Sequence, residues 1–114
     1  MTRHDPLVRM RHMRDHAHEA ISMLGSRTIE QLRDDRTLQL ALAQLIEIVG
    51  EAASRVPKNV RDLHSSVSWQ LAADMRNRLI HGYDVIDINL VYVTIRDDLP
   101  PLVSQIDAIL CSSA

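Results

Sequence analysis

Ile88-Asn89-Leu90-Val91-Tyr92-Val93-Thr94-Ile95-Arg96-Asp97-Asp98-Leu99-Pro100-Pro101-Leu102-Val103-Ser104-Gln105-Ile106-Asp107-Ala108-Ile109 is the stretch on which the fold class turns. From Asn89 to Ile95 it is rich in β-branched residues that suit a strand. Over its whole length, however, Ile88, Val91, Ile95, Leu99, Leu102, Ile106 and Ile109 hold a single helical phase. That phase runs straight across Pro100-Pro101, and a proline pair bends a helix more readily than it joins two unrelated elements in one register. The pattern predicts a last helix kinked at Pro100-Pro101.

Working outward, the rest of the chain is helical in spacing too. Leu7, Met10, Met13, Ala17, Ala20 and Leu24 recur at steps of three and four, with Asp5 as a cap, Pro6 in the first turn and Gly25 at the stop. A short helical segment follows near Thr28 to Leu32. Leu38, Ala41, Leu42, Leu45, Ile48, Val49, Ala52 and Val56 then form a wide apolar face that ends before Pro57. Residues 57–66 are mixed in polarity and read as a looser segment. Beyond them Ser68 is placed to cap a helix presenting Leu71, Met75 and Leu79, with Gly82 as its end. The expected fold is all-α, an antiparallel bundle of four to five helices forming one domain over residues 1–114.

Composition narrows the function classes. Hydrophobic residues make up 46% of 114, yet charges break every apolar run before membrane-spanning length, and the basic, proline-containing start has no apolar signal core. A soluble, cytoplasmic protein without a membrane partner is expected. Cys111 is the single cysteine, so no internal disulfide can form. The formal net charge of -2 offers no global attraction to nucleic acid, so any RNA contact needs a local basic patch, which a symmetric dimer would double. No GxGxxG, P-loop or CxxC pattern is present, and no cofactor is expected.

The chemistry-bearing stretch is Met75-Arg76-Asn77-Arg78-Leu79-Ile80-His81-Gly82-Tyr83. Arginine donors match phosphate oxygens, histidine exchanges a proton near neutral pH, and asparagine can orient either. Read as one helix, the stretch puts Asn77 and His81 on one face, while Arg76 and His81 converge only through long side chains, unwinding at Gly82 or a second subunit. A helix C-terminus would favour imidazolium at His81. The alternative, on residues alone, is a C-terminal cap made by Arg78 and His81.

Arg76-x4-His81-x-Tyr83 in an all-α chain, followed by Leu99-Pro100-Pro101-Leu102, resembles the HEPN superfamily and more narrowly the HepT-like toxins. Ile46 to Ala52, reading IEIVGEA, is similar to the second-helix pattern of that family, and MRNRLIHGY is close to its most specific motif. The resemblance implies a homodimeric, metal-independent endoribonuclease with a composite cleft at the dimer interface. Arg76 and His81 would be catalytic, with Asn77 orienting the imidazole or phosphate and Arg78 adding basic charge. It also implies that Tyr83 is the residue to which a minimal nucleotidyltransferase antitoxin attaches AMP, the added phosphates closing the cleft by charge and bulk. The competing reading is a non-catalytic nucleotide- or protein-binding helical module that docks such a nucleotidyltransferase. A third is an assembly bundle without ligands.

Two further features stand beside that motif. His12 and His16 are at metal-compatible spacing, but they lie opposite the apolar stripe without a third ligand, so a solvated face and no metal are expected. Gln44, Glu47 and Glu51 form a polar row on an otherwise apolar helix, with Gly50 permitting close backbone approach. A buried or dimer-facing role fits this row better than general-base catalysis, and Glu51 could still orient Arg76 through a salt bridge.

Overall fold

The computed structural model describes residues 5–81 and 85–112, with Ile80 and His81 described by backbone alone. Helix α1 runs Pro6–Leu24, α2 Ile29–Arg33, α3 Arg36–Ser54, α4 Lys58–Leu63, α5 Trp69–Arg78, α6 Ile88–Val93 and α7 Leu99–Ser112, with one short antiparallel pair, β1 Ile80–His81 and β2 Val85–Ile86. The bundle is all-α in character.

Helix starts follow side-chain chemistry. Asp5 accepts from Leu7 N, Asp35 from Leu38 N and Asp87 from Leu90 N, each supplying an acceptor to an amide that the helix itself leaves unpaired. Thr28 and Gln31 form a reciprocal capping box at α2. Gly25 ends α1 at φ +57°, in the left-handed region that favours glycine. Ser68 sits at the N-cap of α5 but its hydroxyl makes no capping bond; its own amide donates to Gln105 Oε1 at 3.2 Å.

The core is the α1 stripe (Met10, Met13, Ala17, Ala20, Leu24) packed between α3 and α7, with α5 on the other side of α3. Because α3 is sandwiched between α1 and α5, it buries more than one face: Ala43, Ile46 and Ala53 are inside, whereas Ala41 and Ile48, expected inside, are only half-buried. On α5 Ala72 joins Met75 in the core and Leu71 is half-buried, and Leu79, just past the helix end, is buried as well. Gln39 is buried yet satisfied, its Nε2 donating to Leu32 O at 2.9 Å and Arg33 O at 3.0 Å.

The last element is helical throughout, as the long-range phase required. Its irregularity is a π-helical turn, Thr94–Asp98, one turn ahead of the proline pair, where Leu99 N donates to Thr94 O. Pro100 and Pro101 cannot donate, so the carbonyls ahead of them lose their usual partners and the turn widens before the helix resumes. The segment after Pro57, expected to be loose, contains α4, with Lys58 and Asp62 paired at 2.9 Å one turn apart. Among the described residues no helix is long and apolar enough to cross a membrane.

Candidate nuclease site

Gly50 decides where α3 and α5 cross. A Cβ built there would lie 3.1 Å from Ala72 O, Arg76 N and Arg76 Cβ, so the two backbones touch at a point that a larger residue would force apart. Arg76 therefore leaves α5 directly over α3, and its guanidinium meets Glu51, the residue after Gly50.

Arg76 Nη1 donates to Glu51 Oε1 and, at 3.3 Å, to Ser54 Oγ. Glu51 Oε2 accepts from Arg55 Nε at 3.0 Å, so one carboxylate bridges two arginines. Hydrogen bonding from Arg55, then from Arg76, holds the Glu51 carboxyl below its ordinary value, against a smaller opposing effect of desolvation. Among the described residues the anchoring uses one nitrogen of the Arg76 fork. Among the described residues Nε and Nη2 have no partner, and with the side chain 38% exposed they are available to an incoming anion. Gln44, Glu47, Ile48, Glu51 and Arg76 line a shallow groove along this seam, the polar row of α3 forming one wall.

The salt bridge from Glu51 to Arg76 and the close approach at Gly50 agree with the sequence, whereas the polar row is not buried in the single chain: Gln44 is exposed and the Glu51 side chain is 47% exposed. Arg55 and Ser54 join them without a comparable signal in the sequence. What points to Arg55 is its position one turn after Glu51, a spacing at which opposite charges meet.

Helix α5 ends sooner than expected. Arg78 is its last residue, and the chain leaves the helix at Leu79, whose carbonyl accepts from Asp87 N at 2.7 Å; Ile80 and His81 then pair with Ile86 and Val85. The hairpin takes the backbone groups that a continuing helix would have used. The shared helical face of Asn77 and His81 and the dipole effect on His81 therefore do not apply, since each assumes a helix reaching Gly82. Asn77 and Arg78 are exposed in the last turn, and Arg78 caps no last-turn carbonyl among the described residues. The His81 imidazole and all of Tyr83 lie outside the described residues.

On α1, His16 Nδ1 bonds the His12 carbonyl at 2.7 Å and the two rings stand edge to face, so the pair is engaged locally. Among the described residues no group of three or more metal-capable side chains comes together.

Residues 13–109 match the family model described as Ribonuclease HepT-like. The chain belongs to the HepT-like ribonuclease family. A Thermococcus cleftensis protein named probable ribonuclease HepT is 33% identical over 88 residues, covering 74% of this chain and 80% of its own. A Caldanaerobacter subterraneus subsp. tengcongensis relative, named provisionally as an RNase, is 36% identical over 83 residues, or 73% of this HepT-like chain and 74% of its own. A Methanocaldococcus jannaschii relative with a provisional RNase name is 24% identical over 92 residues, covering 81% and 76%. No solved structure matches this chain.

Proposed function

We propose that this HepT-like protein is a metal-independent endoribonuclease, the toxin of a two-component pair, acting as a homodimer at a composite site. The observation that carries the reading is the position of Arg76. It is held by Glu51 and Ser54 on an exposed seam, with two nitrogens unpaired among the described residues, in a chain whose family and curated relatives carry ribonuclease names.

Cleavage of RNA by its own 2′-hydroxyl requires three things. A base takes the 2′-proton as the 2′-oxygen forms its bond to phosphorus, a cation holds the charge on the five-coordinate phosphorus, and an acid protonates the departing 5′-oxygen. Arg76 supplies the cation. The two His81 residues of a homodimer supply base and acid, and Asn77 orients the imidazole or phosphate. The products are a 2′,3′-cyclic phosphate and a free 5′-hydroxyl, and DNA, lacking the 2′-hydroxyl, is left intact. Two copies of Arg76 and Arg78 facing each other make the local basic patch that a net charge of -2 withholds. Attachment of AMP to Tyr83 by a cognate nucleotidyltransferase antitoxin places a phosphate beside this patch and blocks RNA entry.

The test is cleavage of total cellular RNA in EDTA by the purified protein, beside His81→Ala and a Tyr83-AMP form. Cleavage abolished in both supports nuclease and switch together. No cleavage by any form of a folded dimer would discard catalysis in favour of a non-catalytic module that docks the nucleotidyltransferase.

A further inference from the structure

The groove along the seam of α3 and α5 holds a carboxylate that neither the anchoring of Arg76 nor the cleavage chemistry uses. Gln44, Glu47, Ile48 and Glu51 line it as one row on α3, opposite Arg76. Glu51 is spent on Arg55 and Arg76. Glu47, one turn earlier and half-buried, makes no hydrogen bond or ion pair among the described residues, and the same holds for the exposed carboxamide of Gln44. Between them Ile48 is half-buried and gives the wall an apolar surface. The groove offers about 240 Å³, more than the ~150 Å³ of a cavity that takes a benzene ring. An unpaired carboxylate repels phosphate and only accepts, so from a bound RNA it takes N–H or O–H groups. The ribose hydroxyls stay near the phosphate that Arg76 holds, whereas Glu47 and Gln44 lie about 6 and 10 Å beyond Glu51 along the helix axis. At that reach from a phosphate stands the edge of a base.

We propose that Glu47 and Gln44 read a guanine next to the scissile phosphate, making this row the specificity-determining wall of the nuclease groove. This rests on the ribonuclease reading above. Guanine is the base whose Watson–Crick edge sets two neighbouring donors, N1–H and the N2 amine, against the two oxygens of one carboxylate, with O6 beside them to accept from the Gln44 amide. Adenine and cytosine place a ring-nitrogen acceptor next to their amine, and uracil flanks its single N–H with two carbonyls, so each of them turns an acceptor toward the second Glu47 oxygen. Ile48 packs against the face of the base while the edge is read. Arg76 holds the phosphate and Glu47 the base, so affinity and choice of site reside in different residues of one groove.

The test is cleavage of a random-sequence single-stranded RNA pool and of total cellular RNA by the full chain, Glu47→Gln and Gln44→Ala, with the product ends sequenced and the mass of each protein measured in solution. Neither side chain is bonded within the described chain, so both variants fold. The unaltered protein should show guanine enriched about ten-fold at one position beside the cut, as a two-point base contact in an open groove gives. Glu47→Gln, which exchanges one acceptor oxygen for a donor, should flatten that enrichment by slowing cuts beside guanine, and Gln44→Ala should weaken it less. Cleavage without base preference, preference for another base, or a guanine preference kept in Glu47→Gln would overturn the base site and leave the nuclease intact. So would cleavage of cellular RNA with the random pool untouched, which would mean recognition of folded shape. A dimer weakened by Glu47→Gln with its preference unchanged would make Glu47 a subunit contact and equally overturn the base site. Absence of any cleavage by the unaltered protein would overturn both readings.

Discussion

Arg76 and Arg96 are both arginines that reach across the fold, and they are held in opposite ways. Arg96 donates to two backbone carbonyls, Gly25 O at 2.6 Å and Arg27 O at 2.8 Å, and lies 5.1 Å from the Tyr92 ring centroid. It closes the turn after α1 onto the last helical stretch, and both of its terminal nitrogens are used. Among the described residues Arg76 engages only Nη1, with a carboxylate and a hydroxyl, and its side chain is 38% exposed. Where the partners are neutral carbonyls of a turn, an arginine acts as a strut. Where the partner is one edge of a charge network beside an open groove, it is aimed.

The sharpest test of that contrast is Arg76→Ala, which should lower RNA cleavage by on the order of 100-fold, as removal of a charge-stabilising donor does, with little change in melting temperature because exposed ion pairs contribute little. Arg76→Lys should recover only part of the rate, since a point charge lacks the planar fork. Equal loss of rate and of folding in Arg76→Ala would erase the distinction.

Gly50→Ala should come next, because it strikes scaffold and site together. The new methyl group meets backbone atoms of Ala72 and Arg76 at 3.1 Å, so α5 must move, at a cost of about 1–3 kcal/mol in denaturant unfolding and with a fall in cleavage. A variant equally stable and active would show that the seam gives way easily.

Arg96→Ala should mirror Arg76→Ala: about 2 kcal/mol of stability lost, from charge-assisted hydrogen bonds to two carbonyls, with the rate per folded molecule unchanged. Loss of rate in fully folded protein would instead make Arg96 part of the site.

The smallest effect belongs to Glu51. Its folded-state value is depressed, so its contribution is present above the ordinary glutamate range and is lost as pH falls through the lower, folded value. Melting curves for the unaltered protein and Glu51→Gln should therefore differ from neutral pH down to that range and converge in stronger acid. Because the glutamate is 47% exposed, the gap should be small. Unchanged cleavage and dimerisation in Glu51→Gln would remove it as the residue that positions Arg76.

Local signals in the chain carry far. The α1 stripe, the cap at Asp5, the stop at Gly25 and the helical nature of Ile88–Ile109 are legible because each rests on neighbours within a turn or on one sustained phase. The meeting of Gly50, Glu51 and Arg76 is legible only in part. A glycine on an apolar helix points to close approach, while the carboxylate beside it reads equally as buried, dimer-facing or paired with a cation, and only the crossing of α5 decides among these. Arg55 is harder to pick out, since surface arginines one turn from a glutamate are common.

What periodicity does not supply is whatever depends on competition between distant segments. Leu79 to His81 continue the helical pattern of α5, yet Asp87 and β2 capture their backbone groups, and that pairing is worth more than another turn of exposed helix. Ile48 reads as core from its own helix and becomes a wall of the groove, because α5 crosses at Gly50 and leaves that face of α3 uncovered. The amino-acid order by itself determined the long helices and where most of them begin, since these follow from short-range hydrogen bonding and the spacing of apolar side chains. Only the tertiary structure decided where α5 stops, which faces stay open, and that Arg76 is anchored by Glu51 and Ser54, because those depend on which partner, among several within reach, each backbone and guanidinium group finally meets.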